Sequence, residues 1–305
     1  MSLPLQLGRV RHESGVDVAV IGELAATLLP RFDGDMLALI NEGATGLATA
    51  RAARDSAQST RIPIADIELL APIDLAPRDV LCTGWNYWDH FDEGRAQRAP
   101  AVPRPEAPTF FTKRASVVVG PRRAIAFDQR ISAKWDYEAE LVVIIGKTGR
   151  SIPRSRAMDH VFGYCLANDV SQRDLQRRHG GQWFKGKSID GTMPLGPWIV
   201  PAGEIDPYSV RLQCLLNGEV MQDASVKQMA FPIAELIAEL SFGMTLQAGD
   251  VLLTGTPSGV GNSRTPPVYL KDGDRVVVRG SGLGELCNTV AAADLAGSSD
   301  VRPLG

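Results

Sequence analysis

Apolar residues in the larger part of the chain come in short runs closed off by turn formers. VLCTGW, TFFTK, SVVVG, ELVVIIG, PWIVP, VRLQCLLNGE, DVLLTG and DRVVVRG follow one another between Val80 and Gly280, with Gly, Pro, Asn and Asp between them. Runs of this length and make-up predict strands of a mixed or antiparallel sheet system. Helical periodicity is sparse. FPIAELIAELSF places apolar residues at 233, 236, 237 and 240 behind a proline suited to a first turn, which predicts an amphipathic helix. SQRDLQRRH opens on Ser171 with a Ser-x-x-Asp variant of the capping box and stops at Gly180–Gly181, which predicts a short one.

Residues 1–72 have a different texture. LGRVRHESGVDVAVIGE predicts two strands around a Gly-containing turn, and DMLALINEGATGLATARAARDS has helical spacing interrupted by glycines. Pro72 and Pro77 suit a hinge. The expected organisation is a small α/β N-terminal domain over 1–72 and a β-rich α+β domain over 73–305. The Arg-, Ala- and Pro-rich stretch 95–108 excludes a regular element and is either a surface connector or a mobile lid.

Composition adds exclusions. A chain of 305 residues with 44% hydrophobic and 22% charged residues can bury its own core. A net charge of −3, with Lys and Arg dispersed, argues against a nucleic-acid partner. Cys82, Cys165, Cys214 and Cys287 are too scattered for a zinc site or a disulfide framework and are expected as free thiols. The N-terminus carries no signal core and no segment approaches a membrane span. The expectation is a soluble, cytoplasmic protein without a membrane partner.

The candidate chemistry begins at WDYEAELVVIIG. In a strand, Glu138 and Glu140 share a face with their side-chain bases roughly 7 Å apart. They suit a solvated strand edge, a charge-paired surface, or a pair of metal ligands that a divalent cation reconciles. Asp169, in ANDVSQ, is either a turn residue entering the helix or a third ligand. Together the three make an all-oxygen set, suited to Mg²⁺ or Mn²⁺ rather than zinc. His90 precedes Glu93 by three residues, so on a helical turn Glu93 can orient it, although an aromatic-flanked histidine also serves as a packed residue. Lys187, amid QWFKGKSIDG, pairs with buried acids or reaches solvent. Three carboxylates, one divalent cation and one lysine sum to zero, which admits an anionic substrate. LLTGTPSGVGNS lacks the Gly-Lys-Ser/Thr ending of a phosphate loop, GSGLGEL lacks the helix of a dinucleotide site, and no Gly-x-Ser-x-Gly elbow is present.

In order, GWNYWDHFDE, PTFFTK, DYEAEL, NDVSQRDLQ, KGKSIDGTMPLGPW, LNGE and GDVLLTGTPSGVG resemble the motifs of the fumarylacetoacetate hydrolase family over about residues 79–290. The resemblance implies a mixed β-roll catalytic domain, a small N-terminal domain and a homodimer. It implies that Glu138, Glu140 and Asp169 hold Mg²⁺ or Mn²⁺, that His90 and Glu93 form a lid-borne catalytic pair, and that Lys187 assists them. Arg173, Gln176 and Thr256 match positions that bind substrate. The expected reaction is hydrolytic carbon–carbon cleavage of a 2,4-dioxo acid, such as an acylpyruvate, by water activated at His90, with an enolate leaving under stabilisation by the cation. The alternative is isomerisation, tautomerisation or decarboxylation of a 2-oxo or 2-hydroxymuconate-type acid at the same site. A non-catalytic binding protein is the third reading, disfavoured by the full complement of acids, lysine and His–Glu pair.

Overall fold

The computed structural model describes residues 4–74, 78–94, 103–114, 116 and 118–297. The expected strands form at Val80–Gly84, Thr109–Lys113, Ala139–Ile145, Arg211–Leu216, Val251–Leu253 and Arg275–Gly280, and PWIVP lies within Met193–Pro201. Of the described residues of SVVVG, Val118–Val119 form a short strand. Gly284–Ala292 is a strand that the apolar pattern hides. Its inward positions are Leu286, Asn288 and Val290, and Asn288 is buried because its amide donates to the carbonyls of Gly120 and Arg123 at 3.0 and 2.8 Å.

Two sheets organise the molecule. The larger runs, edge to edge, through Arg61–Pro63, Ala25–Leu28, Gly15–Ile21, Leu7–His12, Met193–Pro201, Val161–Asn168, Ala139–Ile145, Val251–Leu253, Val80–Gly84 and Thr109–Lys113. The smaller orders Glu219–Ser225, Arg211–Leu216, Arg275–Gly280, Gly284–Ala292 and Ile125–Phe127. All seven residues of Ala139–Ile145 are buried, which explains the unbroken apolar run over 141–145 that follows Glu140. Leu141, Val143 and Ile145 enter the core shared with the smaller sheet, whereas Val142 and Ile144 enter a second core. At about 1.5–3 kcal/mol for each fully buried aliphatic side chain, this strand is a rigid foundation for whatever its first residues carry.

The second core joins the N-terminal unit to the larger part. Leu5, Leu7, Met36, Leu39 and Ile40 pack with Val142, Ile144 and Cys165, and Leu7 pairs with Ile199 across the sheet. Helices α1 (Met36–Glu42) and α2 (Ala44–Asp55) are separated at Gly43, whose φ of 55° ends one helix and starts the next. Helix α3 spans Trp88–Glu93, α4 Arg173–Arg178 and α5 Ile233–Ser241. Pro232 stands at the N-cap of α5, one position before the first turn where the sequence suggests it.

Helix α4 departs from expectation at its start. Ser171 belongs to a short strand and its hydroxyl donates to the Asp169 carbonyl, so no capping box forms. Asp174 instead accepts from the Ser132 hydroxyl and the Ala133 and Leu175 amides. Of the proposed lid, residues 95–102 lie outside the described residues. Beyond them, Arg104 pairs with Asp92 of α3 and stacks 5.0 Å from the centre of the Trp88 ring. All four cysteines are free. No described helix is long and apolar enough to cross a membrane.

Candidate active site

Three acids converge where the central strand begins. Glu138 immediately precedes Ala139–Ile145, Glu140 is its second residue, and Asp169 follows the antiparallel neighbour Val161–Asn168. Pairing of Ala139 with Asn168 sets the register. The Asp169 amide donates to the Glu138 carbonyl at 2.9 Å, and the Glu138 amide donates to Asn168 Oδ1 at 2.9 Å. One carboxylate oxygen from each acid lies within 4.8 Å of the others. With exposures of 4%, 2% and 0%, Glu138, Glu140 and Asp169 are neither a solvated edge nor a charged surface.

Buried cations surround them. Lys187 Nζ lies 2.6 Å from both Glu138 Oε2 and Asp169 Oδ2. Lys113 Nζ donates to Asp169 Oδ1 at 2.8 Å and to the Val170 carbonyl at 3.0 Å. Arg173 reaches Glu138 Oε1 at 2.7 Å and Asp136 Oδ2 at 2.8 Å. Burial opposes ionisation of Glu138, but the Lys187 and Arg173 charges outweigh it and hold this carboxyl below the usual glutamate range. Burial likewise opposes the Lys187 ammonium, and Asp169 and Glu138 reverse that and raise its pKa.

Glu140 goes the other way. Burial, then repulsion by Asp169 and Glu138, push its carboxyl well above the ordinary range, although the Gly255 amide donates to it at 2.6 Å. With Glu140 ionised, the four buried acids Asp136, Glu138, Glu140 and Asp169 would outnumber the three cations of Lys113, Lys187 and Arg173 by one negative charge. A divalent cation among the three converging acids relieves that repulsion, and the all-oxygen donor set fits Mg²⁺ or Mn²⁺ in kind.

The candidate base, His90, approaches from α3. His90 Nδ1 lies 2.6 Å from Glu93 Oε1, the one-turn pairing expected from their spacing. The Gly259 amide donates to Glu93 Oε2 at 2.7 Å, which fixes the second partner in turn. The chain enters α3 from Val80–Gly84 through Trp85, held at φ 52°, a left-handed conformation that costs about 1–3 kcal/mol in a bulky residue. Asn86 secures this bend: its side chain bonds the Phe231 carbonyl and amide and the Thr254 carbonyl, at 3.1, 2.8 and 2.8 Å.

His90, Glu138, Glu140, Arg173, Gln176, Lys187 and Thr256 all line one cleft of about 240 Å³. Their local roles differ. The Thr256 hydroxyl donates to the Ala139 carbonyl at 2.9 Å and accepts from Gln222 at 2.7 Å, so it braces the central strand. Arg173 is held between two acids and donates to Gln176 Oε1 at 3.1 Å. The turn GTPSGVG supplies backbone donors to Glu140 and Glu93.

Sequence reasoning missed Lys113, Asp136 and the aromatic wall. Lys113 ends TFFTK two residues after Phe111, and a strand places both on one face, so the pattern contained a signal. Asp136 extends the acidic alternation to Asp-x-Glu-x-Glu. It accepts from the amides of Tyr137, Gly261 and Asn262 as well as from Arg173, which makes it a structural anchor. Trp85, Phe111 and Trp183 line the same cleft.

Residues 79–291 match the family model described as fumarylacetoacetate (FAA) hydrolase, C-terminal. The chain is 39% identical over 270 residues to the oxaloacetate tautomerase YisK of Bacillus subtilis, covering 86% of this chain and 88% of the relative. Among solved structures, a fumarylacetoacetate hydrolase from psychrophilic Exiguobacterium antarcticum superposes with a TM-score of 0.81 at 37% identity, over 95% of this chain and 100% of that one. A 2-hydroxyhepta-2,4-diene-1,7-dioate isomerase from Mycobacterium marinum does so with a TM-score of 0.72 at 30% identity, over 95% and 99%.

Proposed function

The chain belongs to the fumarylacetoacetate hydrolase family, and on that premise we propose that it is a metal-dependent tautomerase of a small 2-oxo dicarboxylic acid of the oxaloacetate type. The likeness to a tautomerase over most of both chains carries the choice of proton transfer over hydrolytic cleavage, the first expectation from sequence. A single oriented histidine in a cationic, acid-lined cleft suits this chemistry. Keto–enol exchange moves one proton between carbon and oxygen, and cleavage additionally requires an ordered water for the base.

A divalent cation held by Glu138, Glu140 and Asp169 would supply Lewis acidity, lowering the pKa of the C–H beside the keto group. His90, with Nδ1 engaged by Glu93, has its other ring nitrogen for the proton. From the keto form it removes a proton from the carbon between the keto group and the distal carboxylate; from the enol form it serves the reverse transfer. Lys187 places a fixed positive charge beside the oxygen on which negative charge develops. With the cation bound, the buried cluster carries a net charge of +1, which favours a dianionic substrate.

The test is direct. Enolic oxaloacetate is added to the Mg²⁺- or Mn²⁺-loaded protein in a buffer that does not itself catalyse tautomerisation, and loss of enol absorbance is followed by stopped flow while products are resolved by chromatography. The expected result is metal-dependent acceleration with oxaloacetate intact. Cleavage of acylpyruvates into two acids without any acceleration of enol decay would restore the hydrolase reading.

A further inference from the structure

Lys187 reaches the acids from a short turn, Phe184–Lys187, that follows α4 through Gly180 and Gly181. Among the described residues, nothing lies within 4 Å of a Cβ built at either glycine. The segment is pinned instead at two close approaches. A Cβ at Gly186 would lie 2.5 Å from the Gln176 amide nitrogen and 2.7 Å from the Gln172 carbonyl oxygen, so the turn sits directly on the backbone of α4. A Cβ at Gly84 would lie 2.2 Å from Cζ3 and 2.7 Å from Cη2 of Trp183, so the indole occupies the space that any other residue at 84 would need.

The second contact joins two parts of the site. Gly84 ends the strand that bends at Trp85 into α3 and His90, and Trp183 lies four residues before Lys187. The Trp183 ring meets Trp85 edge-on at 4.8 Å and Phe111 edge-on at 5.3 Å, and Lys187 Nζ lies 5.3 Å from the centre of the Phe111 ring. The three acids are held from both sides: Lys187 pairs with Glu138 and Asp169, while Lys113 and the Gly255 amide, outside this segment, hold Asp169 and Glu140.

From this arrangement we infer that Trp183 is a positioning residue: its indole, seated against Gly84, registers the Lys187 segment to the strand that carries His90. Its effect on turnover rests on the tautomerase reading; its effect on the segment does not. The expected consequence is a split. Disturbing the Trp183–Gly84 contact loosens residues 181–190 and lowers kcat more than it raises KM.

The experiment is a double-mutant cycle of Gly84→Ala and Trp183→Leu in the full-length chain. Three properties are read: hydrogen exchange in peptides spanning 181–190, Mn²⁺ affinity by electron paramagnetic resonance, and kcat and KM for enolic oxaloacetate with Mn²⁺ saturating. Gly84→Ala alone is expected to speed exchange in that segment and lower kcat about tenfold to a hundredfold, the scale of small misplacements, with Mn²⁺ affinity read so that kcat is compared at saturating cation. In the Trp183→Leu background the same substitution is expected to add little, because the clashing ring is gone. Equal effects in both backgrounds, or no effect on exchange in either, overturn the inference. If Gly84→Ala does not fold, Trp183→Phe and Trp183→Leu carry the test: protection should survive the first and fall in the second, and wild-type exchange in the Leu variant overturns the inference. A wild-type protein inactive on enolic oxaloacetate would sink the functional reading, while hydrogen exchange would still decide the positioning role.

Discussion

The ammonium of Lys113 lies 2.8 Å from Oδ1 of Asp169, and neither side chain has any exposure to solvent. Lys187 takes the other oxygen of the same carboxylate at 2.6 Å. Asp169 is therefore held by one cation on each side, and only one of the two, Lys187, borders the cleft. Lys113 is the counter-charge behind the acidic cluster, on the side away from the cleft.

Lys113→Met keeps the volume and removes the charge, leaving Asp169 buried with one partner fewer. Breaking a buried pair from one side costs about 3–5 kcal/mol, and the metal-free variant is expected to lose stability on that scale in urea unfolding. Saturating Mn²⁺ should recover part of the loss, because a ligand bound only by the folded state stabilises it by mass action. Equal destabilisation with and without Mn²⁺ would show that the cation does not share Asp169.

Glu140 presents the opposite balance. Burial and two neighbouring acids disfavour its charge, and the Gly255 amide provides partial compensation. Glu140→Gln removes the repulsion and keeps the shape, so the metal-free variant should be at least as stable as wild type. Mn²⁺ binding, measured by electron paramagnetic resonance, should fall by about a hundredfold or more, as expected for loss of one charged ligand from three. A destabilised variant that still binds Mn²⁺ tightly would remove Glu140 from the cation site.

His90 and Glu93 separate binding from chemistry. His90→Ala should leave Mn²⁺ affinity near wild type and reduce kcat for enolic oxaloacetate by about 10²–10⁴-fold, the usual worth of a positioned general base. Glu93→Gln keeps a hydrogen-bonding group beside His90 and should cost less. Full turnover in the His90 variant would place the proton transfer elsewhere.

Much of this site was legible because its groups lie in compact motifs. Glu138 and Glu140 are two residues apart, and His90 and Glu93 form one helical turn, so local geometry alone suggested each pair. The burial of residues 141–145 was equally plain from their unbroken apolar run. The pairing of Lys113 with Asp169 was not legible, because the two meet across a separation of 56 residues and only strand order brings them together. Ser171 shows the converse. Its local pattern favoured a cap, but the hydroxyl is engaged by the Asp169 carbonyl, where tertiary packing prevails over a weak local preference. Gly284–Ala292 escaped notice because a buried asparagine interrupts its apolar face.

Asp128 gives a pH-dependent prediction away from the site. Its carboxylate accepts from the Arg130 side chain first, and also from the amides of Arg130, Leu295 and Ala296, which together hold its pKa well below the usual aspartate range. A depressed acid adds stability above its unfolded-state pKa, and that contribution is lost as pH falls through the lower folded-state value. Asp128→Asn should therefore lower the melting temperature near neutral pH, and the gap to wild type should narrow progressively below the ordinary aspartate range. The same variant should increase hydrogen exchange around Leu295 and Ala296, whose amides donate to Asp128 at 3.1 and 3.2 Å. A gap that stays constant from neutral to acidic pH would mean that the carboxylate charge is not what secures this end of the described chain.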